Sequence, residues 1–438
     1  MDSGFCLVSS PNHQEVVQSR FFDPSWLQMQ PHVPMSFVWP KECLVNANEE
    51  FHAPMVDLGG FLRGDDDDAT NRAVRLVRKA CSSHGFFQVI NHGVDPLLIG
   101  EAYDQMDAFF KLPIRRKVSV KKTLGSVWGY SGAHADRFSS KLPWKETLSF
   151  PFHDNNELEP PVVTSFFNDT LGGDFEQAGV VFQKYCETMK QLGIKLLELL
   201  AISLGVDKLH YNYLFEEGCS VMRCNYYPSC QQPSLALGTG PHCDPTSLTI
   251  LHQDQVGGLD VFADNTWQTV PPRPDALVIN IGDTFMVFEK QHYQTTPISH
   301  GVNGENLRLF TTIFILKYRR QYLSSSIFVP GNKWWAEQET VKKKLQLQAL
   351  SNGRYKSCLH RAVVNKYKER RSLAFFLCPK EDKVVSAPED IVRRDGTKQY
   401  PDFTWSRLLE FTQKYYRADE ATLQNFTKWL LSSKQQTL

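Results

Sequence analysis

A chain of 438 residues that is 42% hydrophobic, 12% aromatic and 22% charged can bury a large core, and its length alone allows about three domains. Lys+Arg and Asp+Glu each number 48, so the formal charge is zero. That balance argues against nucleic-acid or anionic-membrane binding, and the hydrophobicity argues against a disordered regulator.

No run reaches ~18 uninterrupted apolar residues, so no membrane span is expected. The opening Met1-Asp2-Ser3-Gly4 is not a secretory signal, and the 10 cysteines contain no CxxC pair. The expectation is a monomeric cytoplasmic protein with free thiols.

Residues 1–53 show no sustained period and read as a loosely ordered N-terminal arm, with Phe37-Val38-Trp39-Pro40 as an aromatic patch packing on the body. Residues 54–205 read as a helical and mixed region. Val56-Asp57-Leu58 suggests a strand, Asp65 to Asp68 a solvated acidic loop, and Asn71 to Ser83 a helix ended by Gly85. Phe86 to Ile90 reads as a strand, Pro96 to Lys111 as a helix, and Asp174 to Leu204 as a long amphipathic helix.

After Gly205 short β-rich runs follow one another: Ser220–Tyr227, Ser247–His252, Leu259–Phe262, Trp267–Val270, Ala276–Ile281, Ser357–Val364 and Ser372–Leu377. Ala263-Asp264-Asn265 is a hairpin signal between two of them. Strands at this spacing predict a sandwich or barrel. A helical ending, Trp405 to Leu430, and a 431–438 tail complete an α+β chain whose β roll occupies 206–430. No GxGxxG or Walker pattern supports nucleotide chemistry.

A His-x-Asp pair occurs three times, at His134/Asp136, His242/Asp244 and His252/Asp254. His242 and Asp244 lie in a Gly/Pro-bounded segment, and residues i and i+2 of an extended chain point to one side. His360, on a later strand, supplies a third ligand. Two histidines and one carboxylate leave positions open for non-haem Fe(II) oxygen chemistry, although each histidine alone reads as a hydrogen-bonded core residue. Ten residues on, a hairpin at Asn365–Glu369 returns into Arg370 and Ser372. A guanidinium beside a hydroxyl can hold a carboxylate by charge-assisted bonds.

With His-x-Asp…His, Arg-x-Ser, Asn225-Tyr226-Tyr227-Pro228 and His84 to Gly93 in view, the chain resembles the plant 2-oxoglutarate/Fe(II)-dependent dioxygenases from about Pro54 to Leu430. Lys141-Leu142-Pro143-Trp144-Lys145-Glu146-Thr147-Leu148, Met222 to Pro228 and Gly129 to Phe138 are similar to elements of the gibberellin 20-oxidases. The resemblance implies a double-stranded β-helix (jelly roll) core flanked by helices. It implies Fe(II) on His242, Asp244 and His360, and 2-oxoglutarate as co-substrate on Arg370 and Ser372, with Asn225 and Tyr227 orienting it.

Ascorbate is implied as supporting reductant, and O₂ with a C20 diterpenoid acid oxidised at carbon 20 as substrates. Trp144 and Lys145 are candidate substrate-pocket residues, with core packing the alternative for Trp144. The resemblance assigns His134/Asp136 to the substrate side. Another gibberellin or flavonoid dioxygenase, or an inactive isoform, are the competing readings.

One departure stands out. The family pattern would run from Met286 directly into Ala349, yet 62 residues, Val287 to Gln348, intervene. A retained intron fits, because every Val codon begins GT, Gln can be CAG, and the length keeps the reading frame. A lineage-specific surface loop is the rival. Long structureless loops inside compact domains are uncommon, so the expectation is a destabilised roll with His360, Arg370 and Ser372 poorly placed in a fraction of molecules.

Overall fold

The computed structural model describes residues 22–122, 126–135, 141–154, 160–283, 285–286, 348–415 and 422–435. Backbone contacts divide the chain into two units, Met1–Phe288 with Gln346–Leu438, and Glu289–Leu345. The second unit lies wholly outside the described residues, as do nearly all of Val287–Gln348 and residues 1–21. No described helix is long and apolar enough to cross a membrane.

The strands, in chain order, are β1 (Glu49–Glu50), β2 (Met55–Asp57), β3 (Phe86–Ile90), β4 (Gly129–Gly132), β5 (Glu146–Phe152), β6 (Ser220–Tyr227), β7 (Leu237–His242), β8 (Leu248–Gln253), β9 (Leu259–Ala263), β10 (Thr266–Val270), β11 (Leu277–Ile281), β12 (Phe285–Met286), β13 (Gln348–Ala349), β14 (His360–Val363), β15 (Arg370–Leu377), β16 (Val384–Val385) and β17 (Phe403–Thr404). Two sheets hold most of them, in the orders β2-β3-β11-β8-β15-β6-β5-β4 and β1-β10-β9-β14-β7. From β7 onward the chain steps back and forth between these sheets, and their inner apolar residues share one core. That alternation is the jelly-roll arrangement the resemblance implied.

Expected elements and observed ones agree where periodicity is strong. The β9–β10 hairpin turns on Asp264 and Asn265, both at positive φ, with Ala263 facing Thr266; this is the two-residue turn that matches strand twist. The long helix begins at Glu176 and ends at Leu204, and its buried stripe includes Tyr185, Met189, Leu192, Leu196 and Leu200.

Several expectations need correction. The helix read from Asn71 starts at Asp67, because Asp66 caps it by accepting the Ala69 N–H and two further aspartates occupy its first turn, where the helix dipole favours them. The second half of the acidic run, Asp67 and Asp68, is therefore helix. The helical ending is present as expected, with helices at Trp405–Tyr415 and Thr422–Gln435. The Asn365–Glu369 turn is not a hairpin, since β14 and β15 belong to different sheets. Its Asn365 carboxamide accepts from the Tyr367 and Lys368 N–H groups. β2 to β5 complete the same eight-stranded sheet as β6, β8, β11 and β15.

The described part of the N-terminal arm is packed. A short helix, Pro24–Met29, is capped by Asp23, and Phe22, Leu27, Phe37 and Trp39 are buried. Phe22 and Phe37 meet the Trp144 ring at 6.1 and 5.2 Å between centroids. An aromatic cluster of this kind outweighs the weak local propensity that points to a loose arm.

Gly85 illustrates how tightly the helix-to-sheet turns are drawn. It ends the 67–83 helix at φ +67°, donating its N–H to Ala80 O. A Cβ there would lie 1.9 Å from the Lys356 carbonyl oxygen. Gly85→Ala combines left-handed strain with a backbone clash and is expected to cost roughly 3 kcal/mol or more, read as a lower urea midpoint with an unchanged slope.

Candidate metal and co-substrate site

The chemistry-bearing residues converge inside the roll from both sheets. β7 ends at His242, Asp244 follows it, and β14 opens at His360, with His360 and His242 paired in register. One ligand atom from each of His242, Asp244 and His360 lies within 4.8 Å of the others. The His242 Nε2 is 3.6 Å from Asp244 Oδ1 and the His360 Nε2 is 3.9 Å from Asp244 Oδ2.

The surroundings fix the tautomers. His242 Nδ1 lies 2.9 Å from Gly240 O, and His360 Nδ1 lies 3.0 Å from Cys358 O. Each Nδ1 therefore carries the proton and donates it, which turns both Nε2 lone pairs toward Asp244. Burial and the facing His360 ring hold His242 well below its ordinary pKa, so it stays neutral. Burial opposes the Asp244 charge, while the Thr249 hydroxyl, donating to Oδ2 at 2.7 Å, favours it.

The opposite wall is a polar row on the inner face of the larger sheet. Ser372 pairs in register with both Gln253 and Asn225, and Asn225 with Thr147. The Asn225 amide donates to Ser372 Oγ at 3.3 Å. One step along, Arg370 is opposite Tyr227; its guanidinium sits 4.8 Å from the Tyr227 ring centroid and donates to Gln253 Oε1 at 3.2 Å. Arg370 is 2% exposed, and its Nε, like Gln253 Nε2, has no protein partner. Buried donors without acceptors are costly, so this pair is arranged for an anion that the protein does not itself supply.

Structure and sequence differ instructively here. Trp144, a candidate pocket residue, lies in the aromatic cluster with Phe22 and Phe37, the core-packing alternative. Lys145 is buried beside the centre and donates from Nζ to Thr239 Oγ1 at 3.0 Å. His134 is not among the grouped ligands, and Asp136 lies outside the described residues. His252 instead meets the Tyr103 hydroxyl at 3.0 Å, and Asp254 accepts from the Arg371 N–H at 2.7 Å. Gln253 and Thr249 are site residues that the sequence does not single out. The period-2 pattern of β8 puts both on one face, but only strand register shows that the face is this one.

The edges of the long insertion are also placed. β12 and β13 pair antiparallel, Phe285 opposite Ala349 and Met286 opposite Gln348. Asp283 donates its N–H to Asp244 O at 2.6 Å and accepts from Ser357 Oγ at 3.0 Å. The chain thus leaves and re-enters the roll at neighbouring points, and His360, Arg370 and Ser372 stand with the rest of the site.

Residues 218–317 and 319–379 match the 2OG-Fe(II) oxygenase superfamily, and residues 53–165 match the non-haem dioxygenase in morphine synthesis N-terminal family. The chain is 46% identical to gibberellin 20 oxidase 3 of Arabidopsis thaliana over 416 residues, covering 94% of this chain and 93% of that one. It is 47% identical to gibberellin 20 oxidase 2 of Oryza sativa subsp. japonica over 405 residues, covering 92% and 87%.

The chain belongs to the gibberellin 20 oxidase family.

Among solved structures, JOX2 in complex with 2OG, Fe and JA is similar, with a TM-score of 0.66 and 26% identity across 92% of this chain and 97% of that one. The chain is a 2-oxoglutarate/Fe(II)-dependent dioxygenase. Its residues fit that chemistry: two imidazoles and a carboxylate suit Fe(II) with open positions, and the unpartnered donors of Arg370 and Gln253 suit an acid.

Lys145 offers a pH test. Burial, and after it the Arg223 charge, lower its pKa from 10.5 to about 7. Between those values the unfolded chain binds more protons than the folded one, so stability rises with pH through that window. Lys145→Met is expected to flatten this rise and to raise stability most below pH 7, as measured by urea unfolding at a series of pH values.

Proposed function

We propose that this protein is a gibberellin 20-oxidase that oxidises C20 gibberellin precursors at carbon 20, with 2-oxoglutarate as co-substrate. The observation that carries the reading is similarity to gibberellin 20 oxidases at 43–47% identity along more than nine-tenths of the chain, joined to a His242, Asp244 and His360 cluster and a buried arginine, Arg370.

Iron(II) with 2-oxoglutarate and O₂ supplies the oxidation itself. The protein's part is placement. His242, Asp244 and His360 hold the metal, and Arg370 and Ser372 take the far carboxylate of the co-substrate. Asn225 holds Ser372, and Tyr227 and Gln253 hold the guanidinium. Lys145 faces the substrate, an apolar diterpenoid acid whose carboxylate suits a buried amine. The buried walls exclude water that would otherwise compete for these donors. Ascorbate serves as supporting reductant, and the enzyme works as a cytoplasmic monomer.

The test is mass spectrometry of products formed by the purified 438-residue chain from a C20 gibberellin acid with Fe(II), 2-oxoglutarate and ascorbate. Stepwise oxidation at carbon 20 followed by its loss is expected. Turnover of a flavonoid in preference to the gibberellin overturns the substrate assignment.

The Val287–Gln348 segment is read as a retained intron, and the genomic sequence at both junctions decides it: GT and AG must be present. Because Met286 and Ala349 stand on paired strands, deleting 287–348 requires only local closure, and loop length itself costs little entropy. The deleted chain is expected to fold and to keep the metal affinity of the full chain within about threefold, measured by metal titration.

A further inference from the structure

The packed N-terminal stretch does more than cover the core. Trp39, 8% exposed, is fixed at both ends: its backbone N–H donates to Leu235 O at 3.0 Å and its Nε1–H to Leu142 O at 3.2 Å. Between these anchors its six-membered ring lies flush against Gly240. A Cβ built on Gly240 would sit 2.2 Å from Cη2, 2.4 Å from Cζ3 and 3.2 Å from Cζ2 of Trp39. The strand backbone approaches the ring as closely as a residue without a side chain permits.

Gly240 is also the residue whose carbonyl receives the His242 Nδ1 proton at 2.9 Å. The ring therefore backs the peptide that sets the rotation of a ligand imidazole. A second brace runs from the same stretch to the other histidine strand. Arg361, next to His360 and 2% exposed, donates to Cys43 O at 2.9 Å, to Val45 O at 2.6 Å and to Asp260 Oδ2 at 2.9 and 3.0 Å. The third element drawn to β7 is the 142–145 segment: Trp144 donates its N–H to Leu237 O at 2.9 Å, and Lys145 reaches Thr239.

We propose that Trp39 is a positioning residue for the metal centre, a wedge beneath Gly240 that fixes the carbonyl orienting His242. The Trp39–Leu142 bond ties this wedge to the segment carrying Lys145, so the N-terminal stretch joins the metal side of the site to its substrate side. The inference rests on His242 being a metal ligand. Groups that orient metal-binding histidines typically matter by about 10–100-fold in affinity, which sets the size of effect to look for.

The experiment is a double-mutant cycle on the full chain, titrated with Co(II), whose absorption reports both affinity and coordination geometry. Gly240→Ala is expected to weaken Co(II) binding about tenfold or more, because its Cβ must push β7 off the Trp39 ring. In a Trp39→Leu background, where the ring is gone, Gly240→Ala is expected to change affinity by less than about twofold. Trp39→Leu alone is expected to weaken binding severalfold and alter the Co(II) spectrum in a chain that remains folded by circular dichroism. Those two readouts carry the test should Gly240→Ala fail to fold.

Equal losses from Gly240→Ala in both backgrounds, or no loss in either, overturn the proposal while leaving the metal site standing. A Trp39→Leu chain with the affinity and spectrum of the parent does the same. Parent-chain Co(II) binding that survives His242→Ala overturns the ligand assignment and the proposal with it.

Discussion

Asp244→Ala is expected to lower metal affinity by more than about 100-fold, beyond the range usual for residues that only orient ligands. Two features make this position the most sensitive. Asp244 is the one carboxylate among the grouped ligands, so its loss removes the negative charge that this cluster offers the cation. Its Oδ1 and Oδ2 also face different histidines, at 3.6 and 3.9 Å, so no single imidazole substitutes for it. Thr249→Val supplies the internal comparison. It removes only the 2.7 Å bond to Asp244 Oδ2, and its effect is expected to fall within about 10–100-fold. Isothermal titration with Fe(II) under anaerobic conditions measures both. Equal effects of the two substitutions would remove Asp244 from the ligand set.

Arg370→Met comes next in size, and its signature is selective. The guanidinium is buried, stacked on Tyr227 and held by Gln253, and in the proposed function it receives the co-substrate carboxylate in two hydrogen bonds. Charge-assisted bonds contribute about 1.5–3 kcal/mol each, so the loss of two predicts a rise of roughly 100- to 10,000-fold in the KM for 2-oxoglutarate. Metal affinity is expected to stay close to that of the parent chain, since Arg370 touches no ligand. Arg370→Lys is expected to recover little, because an ammonium cannot present the planar fork. A metal affinity that falls in step with 2-oxoglutarate binding would mean that Arg370 supports the roll rather than the co-substrate.

Much of this site is legible in the amino-acid sequence, for a physical reason. Metal ligands and charged anchors are rare residue types at short, fixed spacings, and His242-x-Asp244 and Arg370-x-Ser372 each need only an extended backbone to share a face. Long-range partners are another matter. Gln253 and Thr249 are ordinary polar residues until β8 pairs with β15, which sets Gln253 opposite Ser372. β7 gives no strand signal because Leu237 to His242 carries two glycines and a proline, residues that count against strand. In the fold Gly238 and Gly240 are what permit it, the first pressed against the Tyr227 ring and the second against Trp39. The packing of residues 22–45 is hidden for the same reason: its partners, Trp144, Leu142 and Arg361, are 100 to 300 positions away.

The most direct measurement is succinate release by the purified full-length chain, with Fe(II), ascorbate and 2-oxoglutarate, in the presence and absence of a C20 gibberellin acid. Succinate formed in step with oxidation at carbon 20, and abolished by Asp244→Ala, is the predicted result. Succinate release that a C20 acid does not stimulate, in the full chain and equally in the chain lacking 287–348, would contradict the assignment.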